Sequence, residues 1–453
     1  MRILLIQPAS SIDFIDRVYM HEPLALEYLG AGLKPDGHDI LLLDGRIEGD
    51  VVETGLDFQT DIVGLTGYTS QVNIIKELAE EFKASSAPPF VVVGGHHATV
   101  RPTDFNVSSV DLVVIGEGVV SLREIAAELS AQRNFKAIDG LGIPGSTMRF
   151  TRTRPHCSLD ELPMPDRTLT ARYRRHYFSE WLQPLASVRT SLGCVGRCNF
   201  CALWSLTGGK YLKRSPEKVV HELQNVKEDN VFFCDDESMY DEKRMSLLAD
   251  LIGEKGIQKN YFLYARADTI VRHPDLFAKW RNIGLRQVFV GMESFSDSHL
   301  QAMNKGLNLE QQEKAVAILK ELGIILYASF VVNPDFSKED FRSLTAYVRR
   351  LKLNHASFSV LTPLPGTVMH EERHAELFPY RPEMYDFIHT VLPTRLPLID
   401  FYDEFARLWQ RAIPLHRALK TFSYYGVKRL PGVFRLLREA TSTMRKSYLD
   451  HID

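Results

Sequence analysis

Short apolar runs alternate with longer amphipathic stretches along the first 125 residues of the chain. The apolar runs have the length of buried strands, and the stretches between them repeat apolar residues every three or four positions, as helices do. Alternation of strand and helix predicts a parallel sheet with helices on both faces. The predicted strands are Ile3–Ile6, Ile40–Leu43, Ile62–Leu65, Phe90–Val93 and Leu112–Ile115, and the predicted helices include Val72–Lys83 and Leu122–Leu129.

A second alternating series begins near Ala186 and repeats a strand and a helix as one unit. Six such units predict a partial TIM barrel, in which chemistry takes place at the carboxyl ends of the strands. The predicted strands are Ala186–Thr190, Val231–Cys234, Tyr261–Arg266, Val288–Gly291, Ile324–Val332 and Phe358–Leu361. The predicted helices include Pro216–Lys227, Lys243–Lys255, Pro274–Asn282, Leu309–Leu322 and Lys338–Leu351.

Prolines interrupt the pattern between the two series and again after the second one. We therefore predict an α/β protein with four segments. A doubly wound, Rossmann-like domain spans residues 1–135, a linker spans 136–185, a partial (β/α)6 barrel spans 186–370, and a helical tail spans 371–453.

Composition changes this picture little, since 45% of the residues are hydrophobic, 25% are charged, and the net charge is −3. Such a balance produces no global field that would attract nucleic acid, so we expect no nucleic-acid partner. The apolar run at the amino terminus is too short for a signal peptide, and no run of about 18 apolar residues would span a membrane. We expect a cytoplasmic enzyme.

The cysteines carry the strongest chemical signal. Three of the five, Cys194, Cys198 and Cys201, lie within eight residues directly after a predicted strand, spaced C-x₃-C-x₂-C. Three thiolates on one loop can bind three irons of a [4Fe–4S] cubane and leave the fourth iron open to a small chelating molecule. A zinc site needs four closed ligands, and no fourth Cys or His follows nearby. Three core thiols are a poor alternative, because glycines and polar residues flank them.

The cysteine loop, with Phe200 before its last cysteine, resembles the signature of the radical S-adenosylmethionine (SAM) superfamily. The resemblance continues at the predicted strand ends, and the first domain resembles the cobalamin-binding domain that precedes such barrels. Together the pieces are similar to the cobalamin-dependent radical SAM class over roughly residues 1–370. They are Asp235-Asp236, Ala265–Asp268, Gly291–Ser294, Thr362–Thr367, Gly37–Asp39, Gly94–Thr99 and Ile115–Gly118.

The resemblance implies that the amino and carboxylate groups of SAM chelate the open iron. Acids at the strand ends would then accept hydrogen bonds from the ammonium and ribose, and an arginine would pair with the carboxylate. Two structural alternatives stay open: a helix cap for Asp236 and an ordinary ion pair for Arg266. The predicted SAM-binding residues are Phe200, Asp235, Asp236, Arg266, Glu293 and Ser294.

The resemblance also implies that cobalamin binds at the glycine turns of the first domain, because the backbone at a glycine can approach a ligand closely. The predicted residues are Thr66, Gly67, Gly94, Gly95, His96, Gly116, Glu117 and Gly118. Methionine-synthase-like domains place a cobalt-ligating histidine in D-x-H-x-x-G. Here Leu41 replaces the final glycine, so we interpret His38 as a turn residue and leave the lower cobalt ligand unassigned.

The activity implied by this resemblance is methylation of an unactivated carbon. A 5′-deoxyadenosyl radical would abstract hydrogen, methylcobalamin would supply the methyl group, and a flavodoxin- or ferredoxin-type donor would reduce the cluster. Three alternatives stay open: a cobalamin-dependent cyclase or oxidative rearrangement without methyl transfer, a radical SAM enzyme whose first domain no longer binds cobalamin, and a non-catalytic iron–sulfur redox sensor.

The tail suggests what kind of substrate is used. Between Arg407 and Tyr448 there are ten basic residues and one acid, Glu439, interleaved with apolar residues such as Trp409, Phe434 and Leu437. A basic, amphipathic helix is typical of membrane-surface binding, and a packed cap with a solvated basic face is an equal alternative. Peripheral contact with the inner membrane face would suit an apolar, lipid-like substrate, as in the hopanoid methylases, which this chain resembles in architecture.

Overall fold

The structure is a computed structural model that describes residues 1–12, 15–425 and 430–451. Its first part alternates strands and helices as the apolar periodicity predicts. The elements are β1 (Arg2–Gln7), β2 (Tyr19–Met20), α1 (Leu24–Leu33), β3 (Asp39–Asp44), α2 (Val51–Asp57), β4 (Ile62–Thr66), α3 (Val72–Lys83), β5 (Phe90–Gly94), α4 (His96–Val100), β6 (Leu112–Val114), α5 (Gly118–Ser130), β7 (Leu141–Ile143) and β8 (Arg149–Phe150).

Seven of these strands form one sheet in the order β3-β1-β4-β5-β6-β7-β8. The five predicted strands are parallel, which agrees with the expected doubly wound fold, and apolar side chains form a separate core on each face of the sheet. The strand order reverses between β1 and β4. In open α/β sheets, ligands bind outside the carboxyl ends of the strands at such a switch point.

Two strands of this sheet come from the segment that we expected to be a linker. β7 pairs antiparallel with β6, and β8 pairs antiparallel with β7. With three and two residues, they are too short to show the alternation of sides by which a strand is recognised. The sheet is therefore mixed at this edge instead of wholly parallel.

The second part begins with β9 (Phe178–Ser179), which pairs antiparallel with β2 and so ties the two parts together. The elements that follow are β10 (Leu185–Val188), β11 (Ser191–Leu192), α6 (Leu203–Thr207), β12 (Leu212–Lys213), α7 (Pro216–Asn225), β13 (Asn230–Phe233), α8 (Glu242–Glu254), β14 (Asn260–Tyr264), α9 (Ala267–Arg272), α10 (Pro274–Asn282), β15 (Leu285–Glu293), α11 (Asp297–Ala302), α12 (Leu309–Glu321), β16 (Ile325–Val332), α13 (Lys338–Arg350), β17 (Ala356–Val360) and α14 (Val368–Glu372).

Six parallel strands, in the order β10-β13-β14-β15-β16-β17, form the predicted partial barrel. Alternate residues point outward into a large core shared with the surrounding helices, as Val231, Leu263 and Val290 do. The predicted third strand is two residues too long, because Arg266 has left the sheet and precedes α9 as its N-cap residue.

The tail consists of α15 (Leu398–Arg411), α16 (Leu415–Tyr425) and α17 (Leu430–Lys446). α15 buries Phe401 and Phe405 in the barrel core. The Trp409 ring lies 5.5 Å from that of Phe358 in the last barrel strand. Trp409 therefore packs within the protein, which contradicts its predicted role on the membrane-facing side. Lys428 and Arg429, which the predicted basic surface included, lie outside the described residues.

Candidate functional site

The cysteine loop follows the first barrel strand and is shaped by a glycine. Gly193 has φ +96, and a side chain there would collide with the carbonyl oxygen of Lys210. Cys194, Cys198 and Cys201 are half-buried and line one cavity of about 170 Å³ at the carboxyl ends of the strands. Burial raises the pKa of the Cys201 thiol to about 12. The structure thus brings the three predicted cluster ligands together.

The spacing of these thiols fits a cluster better than a single ion. Within the described ranges, no three His, Cys, Asp or Glu side chains converge closely enough to hold one metal ion. A cubane does not require such convergence, because each thiolate binds a different iron and the fourth iron keeps an open position. Three thiols that line one cavity therefore fit the donor set that a [4Fe–4S] cluster would need.

Charged side chains from several strand ends border the same cavity. Lys305 donates to Glu293 Oε1 at 2.6 Å, and both residues are 8% exposed. Arg266 donates from Nε to Asp268 and from Nη2 to the Lys305 carbonyl oxygen, and its Nη1 lies 3.9 Å from Cys198 Sγ. The guanidinium thus places a positive charge beside a predicted cluster thiolate.

The two adjacent predicted aspartates differ in position. Asp235 is 1% exposed and accepts hydrogen bonds from the backbone of Thr190 and Ser191, so it supports the cysteine loop from behind and does not line the cavity. Asp236 does line the cavity and accepts from Gly193 N at 2.7 Å. Burial raises the pKa of Asp236.

Sequence reasoning missed two cavity residues, Glu237 and Lys305. Glu237 is fully buried and accepts from Arg266 N through Oε2 at 2.5 Å, and no described residue hydrogen-bonds to its Oε1. Burial raises its pKa to about 7. Its only sequence signal is its position as the third acid of the run that begins at Asp235, and Lys305 carries no local signal because it lies twelve residues beyond Glu293.

A second cavity of about 210 Å³ adjoins the cysteine loop on the side of β16 and β17. Its apolar wall includes Met303, Val331, Leu361 and Met369, against which Phe200 packs. Ser294 lines this second cavity and lies 3.3 Å from His299 Nδ1. Phe200, predicted to bind SAM, therefore lines the charged cavity with the cysteines and packs against the apolar wall, whereas Ser294 lines the apolar cavity beside it.

The carboxyl edge of the first sheet consists mainly of glycine turns. Gly95 has φ +96, and a side chain there would collide with Thr66 Oγ1, so Gly95, Thr66 and Gly67 pack closely at neighbouring strand ends. Gly94 has room for a Cβ, whose nearest neighbour is Val114 Cβ at 3.6 Å. Gly116 has φ +89, and its N–H donates to Thr99 Oγ1 at 3.0 Å.

Several polar residues of this edge have structural partners. Glu117 caps α5 by accepting from Val119 N at 2.5 Å and Val120 N at 3.0 Å, and Gly118 is the first residue of that helix. His97 is fully buried and held between Thr69 and Asp104. Glu117 therefore has an internal role besides the cobalamin contact predicted for it.

Tyr68 is a residue of this edge that sequence reasoning missed. It follows β4 at the switch point of the sheet, is 64% exposed, and has its ring 5.6 Å from that of His96. Burial lowers the pKa of His96 to about 4, so its imidazole is neutral. The Tyr68 side chain is exposed just beyond the carboxyl end of β4, on the edge that carries the glycine turns.

The two carboxyl edges face each other. Tyr380 donates to Asp104 at 2.7 Å, and Asn73 donates to Glu383 at 2.9 Å, which fixes the first domain to the segment after the barrel. The ring of His21, which follows β2, lies 4.7 Å from that of Phe232 in β13. A glycine-lined edge with an accessible aromatic ring thus lies opposite a cavity lined by thiols and charges.

Residues 188–348 match the model of the radical SAM superfamily, and residues 11–126 match that of the B12 binding domain. The hopanoid C-3 methylase of Methylococcus capsulatus is 30% identical over 430 residues, an alignment that covers 92% of this chain and 82% of the methylase. The chain belongs to the cobalamin-binding radical SAM family.

Solved structures of this family share the fold. The radical SAM methyltransferase TsrM of Kitasatospora setae, with cobalamin and a [4Fe–4S] cluster bound, has a TM-score of 0.68 at 20% identity and covers 87% of this chain and 82% of its own. OxsB, with aqua-cobalamin and SAM bound, has a TM-score of 0.73 at 15% identity and covers 99% of this chain and 75% of its own.

The chain is therefore a radical SAM enzyme of the methyltransferase type that uses a [4Fe–4S] cluster, SAM and cobalamin. This sets aside the alternatives of a non-catalytic sensor and of a first domain without cobalamin. Within the part of the chain that the structure describes, no helix is both long and apolar enough to cross a bilayer.

Proposed function

We propose that this enzyme transfers a methyl group from SAM to an unactivated carbon of an apolar, lipid-like substrate such as a hopanoid. The observation that supports the proposal is the docking of the two parts of the chain, through the Tyr380–Asp104 and Asn73–Glu383 hydrogen bonds and the His21–Phe232 ring contact, which brings the two sheet edges together. When bound, the cluster and SAM supply the radical, and cobalamin supplies the methyl group. Both groups would then reach one substrate carbon.

Different residues of the cavity would bind different groups of SAM. Glu237 accepts from Arg266 N through Oε2, and its Oε1, which lines the cavity, is placed to accept a hydrogen bond from the SAM ammonium. The Lys305–Glu293 pair and the Asp236 carboxylate line the remaining wall. The apolar cavity beside Phe200 suits the adenine. Arg266 donates to Asp268 and to the Lys305 carbonyl oxygen, and its Nη1 lies 3.9 Å from Cys198 Sγ. Its contact with the SAM carboxylate stays a prediction.

In the first domain, the glycine turns would allow backbone N–H groups to approach cobalamin closely. The Tyr68 ring adds an accessible flat surface beside them. His96 is held neutral and half-buried behind Tyr68. His38 lies in the turn before β3, at the opposite end of that strand from the ligand edge, as the sequence predicts. An external one-electron donor of the flavodoxin or ferredoxin type would reduce the cluster.

One experiment separates methyl transfer from its main alternative. The holoenzyme is incubated anaerobically with a reductant, a bacterial lipid extract and SAM carrying a deuterated methyl group, and products are followed by mass spectrometry. Methyl transfer gives 5′-deoxyadenosine together with a lipid carrying the deuterated methyl group. A cyclase or oxidative rearrangement gives 5′-deoxyadenosine and an altered lipid without label. Absence of labelled product across apolar fractions contradicts the proposal.

The tail supports delivery of such a substrate from a membrane surface. α16 exposes Leu415 and Leu419 one turn apart, and α17 exposes Phe434 beside Arg435 and Arg438. Apolar side chains among cations are complementary to the surface of an anionic bilayer. We include in the proposal that α16 and α17 dock the enzyme peripherally on the inner membrane face.

Vesicle binding tests this docking. Co-sedimentation with phosphatidylserine-containing vesicles is compared for the wild type and the Arg435→Gln/Arg438→Gln variant, which should lose roughly 2 kcal/mol of binding at about 1 kcal/mol per cation. The matched control is Lys243→Gln/Lys255→Gln, which removes the same charge from the first turn of α8 and from its C-cap. Equal binding of the two variants, or no binding of the wild type, contradicts docking through the tail.

A further inference from the structure

The cysteine loop has an inner and an outer side. On the inner side, Cys194, Gly196 and Cys198 line the cavity of about 170 Å³. On the outer side, residues between the cysteines are exposed to solvent, Val195 by 40% and Arg197 as well. The cavity is too small to admit a protein. A protein that exchanges electrons with the cluster would therefore have to approach the outer side.

Trp204 holds the outer side in place. Its Nε1 donates to the Gly196 carbonyl oxygen at 2.7 Å, in the middle of the cysteine loop. The Arg197 guanidinium lies over the Trp204 ring, 5.0 Å from the ring centroid, where the negative face of the ring attracts it. Gly209 packs against the same ring, because a Cβ there would collide with it. Lys210, the next residue, is thereby brought close to Arg197.

Positive charge on this side has little internal compensation. From Cys194 to Lys213 the sequence contains three cations, Arg197, Lys210 and Lys213, and no acid. Lys213 forms an ion pair with Asp241 at 2.7 Å. Among the residues that the structure describes, no carboxylate lies within ion-pair distance of Arg197 or Lys210, and both cations are exposed. They are therefore available to an acidic partner.

A neighbouring loop adds apolar surface and no acid. The Met369 N–H donates to the Asn199 carbonyl oxygen at 2.8 Å, so residues 366–369 lie against the cysteine loop. They contain no Asp or Glu, and Val368 among them is 57% exposed. A small apolar area with cations beside it suits a short-lived electron-transfer contact, which buries less than about 1,200 Å². We use the name loop face for Val195, Arg197, Lys210 and Val368.

We propose that the loop face is the docking surface for the protein that reduces the cluster, and that this protein is an acidic one-electron carrier of the flavodoxin or ferredoxin type. The carrier loses one electron and the cluster gains it, and no proton or group is transferred in this step. Complementary charge raises the rate of encounter more than the strength of binding, which suits a carrier that must leave after each electron. The inference rests on the external donor included in the proposed function and adds the surface that this donor uses.

Two reductants with different requirements test the inference. Formation of 5′-deoxyadenosine by the cofactor-loaded enzyme is followed anaerobically at low ionic strength. One reductant is flavodoxin kept reduced by its NADPH-dependent reductase, and the other is reduced methyl viologen, a small cation that needs no cationic docking surface. Arg197→Gln/Lys210→Gln should lower the flavodoxin-driven rate about tenfold and leave the viologen-driven rate at the wild-type level.

Two further measurements report on docking itself. Binding of flavodoxin, measured by surface plasmon resonance without turnover, should weaken in Arg197→Gln/Lys210→Gln. Salt at about 0.5 M should remove most of the difference in flavodoxin-driven rate between wild type and variant, because exposed charges are then screened. A difference that persists unchanged at high salt contradicts docking through the two cations.

The matched control is Lys227→Gln/Lys255→Gln, which removes the same charge from exposed positions before β13 and β14, at the opposite end of the barrel. Should the loop-face variant fail to load iron, Lys210→Glu, which leaves the cysteine loop unchanged, carries the same expectation. An equal fall of the flavodoxin-driven rate in the control, or no fall in the loop-face variant, overturns the inference. So does a wild type that methyl viologen reduces but neither flavodoxin nor ferredoxin does.

The two proposals fail in different ways. Flavodoxin-driven 5′-deoxyadenosine that depends on Arg197 and Lys210, without a lipid carrying the deuterated methyl group, contradicts the proposed methyl transfer and leaves the loop face in place. A lipid that is methylated equally fast with flavodoxin by the wild type and by Arg197→Gln/Lys210→Gln contradicts the loop face and leaves the methyl transfer in place.

Discussion

The carboxyl edge of the first sheet and that of the barrel border the same space but carry different chemistry. At the first edge, Glu117 and His97 are bonded within the domain, and the ligand side presents glycine backbone and the Tyr68 ring. At the barrel edge, thiols line the cavity together with the unpartnered Oε1 of Glu237. A large ligand with a flat macrocycle is held by area and backbone contact, whereas a cluster and a zwitterion are held by ligation and charge.

The largest effect should come from the thiols. Cys198→Ala removes one of three cluster ligands, so iron content, the brown charge-transfer absorption and 5′-deoxyadenosine formation should all collapse. Iron analysis and product chromatography after anaerobic reconstitution measure this loss. Cys157→Ala is the matched control, because Cys157 lies in the segment between the two sheets, and it should keep its iron. Full cluster occupancy in Cys198→Ala contradicts the assignment.

The next largest effect should come from the buried ion pair of the barrel edge. Lys305→Met leaves Glu293 charged and unpaired at 8% exposure, which should destabilise the barrel by about 3–5 kcal/mol. Lys314→Met breaks an exposed pair with Glu310 and should cost less than about 1 kcal/mol.

Denaturant unfolding of both proteins measures this difference. The double variant Glu293→Gln/Lys305→Met should recover part of the stability, because no buried charge is left alone. If Lys305→Met and Lys314→Met lower the free energy of unfolding equally, charge pairing is unimportant at the barrel edge.

A smaller effect should follow from the aromatic surface of the first edge. Tyr68→Ala should weaken cobalamin binding about tenfold, since it removes an accessible ring at the switch point, and should leave iron content unchanged. Corrin absorbance after gel filtration measures the retained cobalamin. Phe150→Ala, which removes an exposed ring from β8, should bind as the wild type does. Wild-type corrin content in Tyr68→Ala removes Tyr68 from the binding surface.

The smallest effect should come from Glu117. Because its carboxylate caps α5, Glu117→Ala should cost about 1 kcal/mol of stability, similar to Asp50→Ala at the cap of α2. Thermal unfolding measures both variants, and corrin content should stay at the wild-type level in each. Loss of cobalamin from Glu117→Ala with unchanged stability would show that Glu117 acts on the ligand and not on the helix.

Much of the fold follows from local patterns. The predicted helices Val72–Lys83 and Pro274–Asn282 coincide with α3 and α10, because an apolar stripe with a helical period is a property of a single segment. The short strands β7 and β8 were missed for the opposite reason. Their place in the sheet depends on β6, a neighbour that no local pattern reveals.

The candidate site was predictable to a lesser degree. The cysteine loop is local, so its spacing alone indicates a cluster. Asp235, Asp236 and Glu237 are consecutive acids, yet Asp235 faces the backbone of Thr190 and the other two line the cavity. Beyond the end of a strand, side chains no longer alternate regularly between the two faces. The direction of each side chain then depends on partners distant in sequence.

By itself, the sequence determined the two alternating series, the three thiols on one loop and the family resemblance, because each of these features is a pattern of residues close together in the sequence. Only the tertiary structure decided that Lys305 pairs with Glu293, that Tyr380 joins the first domain at Asp104, and that Tyr264, Phe289 and Tyr327 form one layer. These arrangements depend on the register between strands and on the docking of two sheets. The strand register and the docking of the sheets both depend on the burial of apolar surface contributed by many segments. Neither can therefore be inferred from one segment alone.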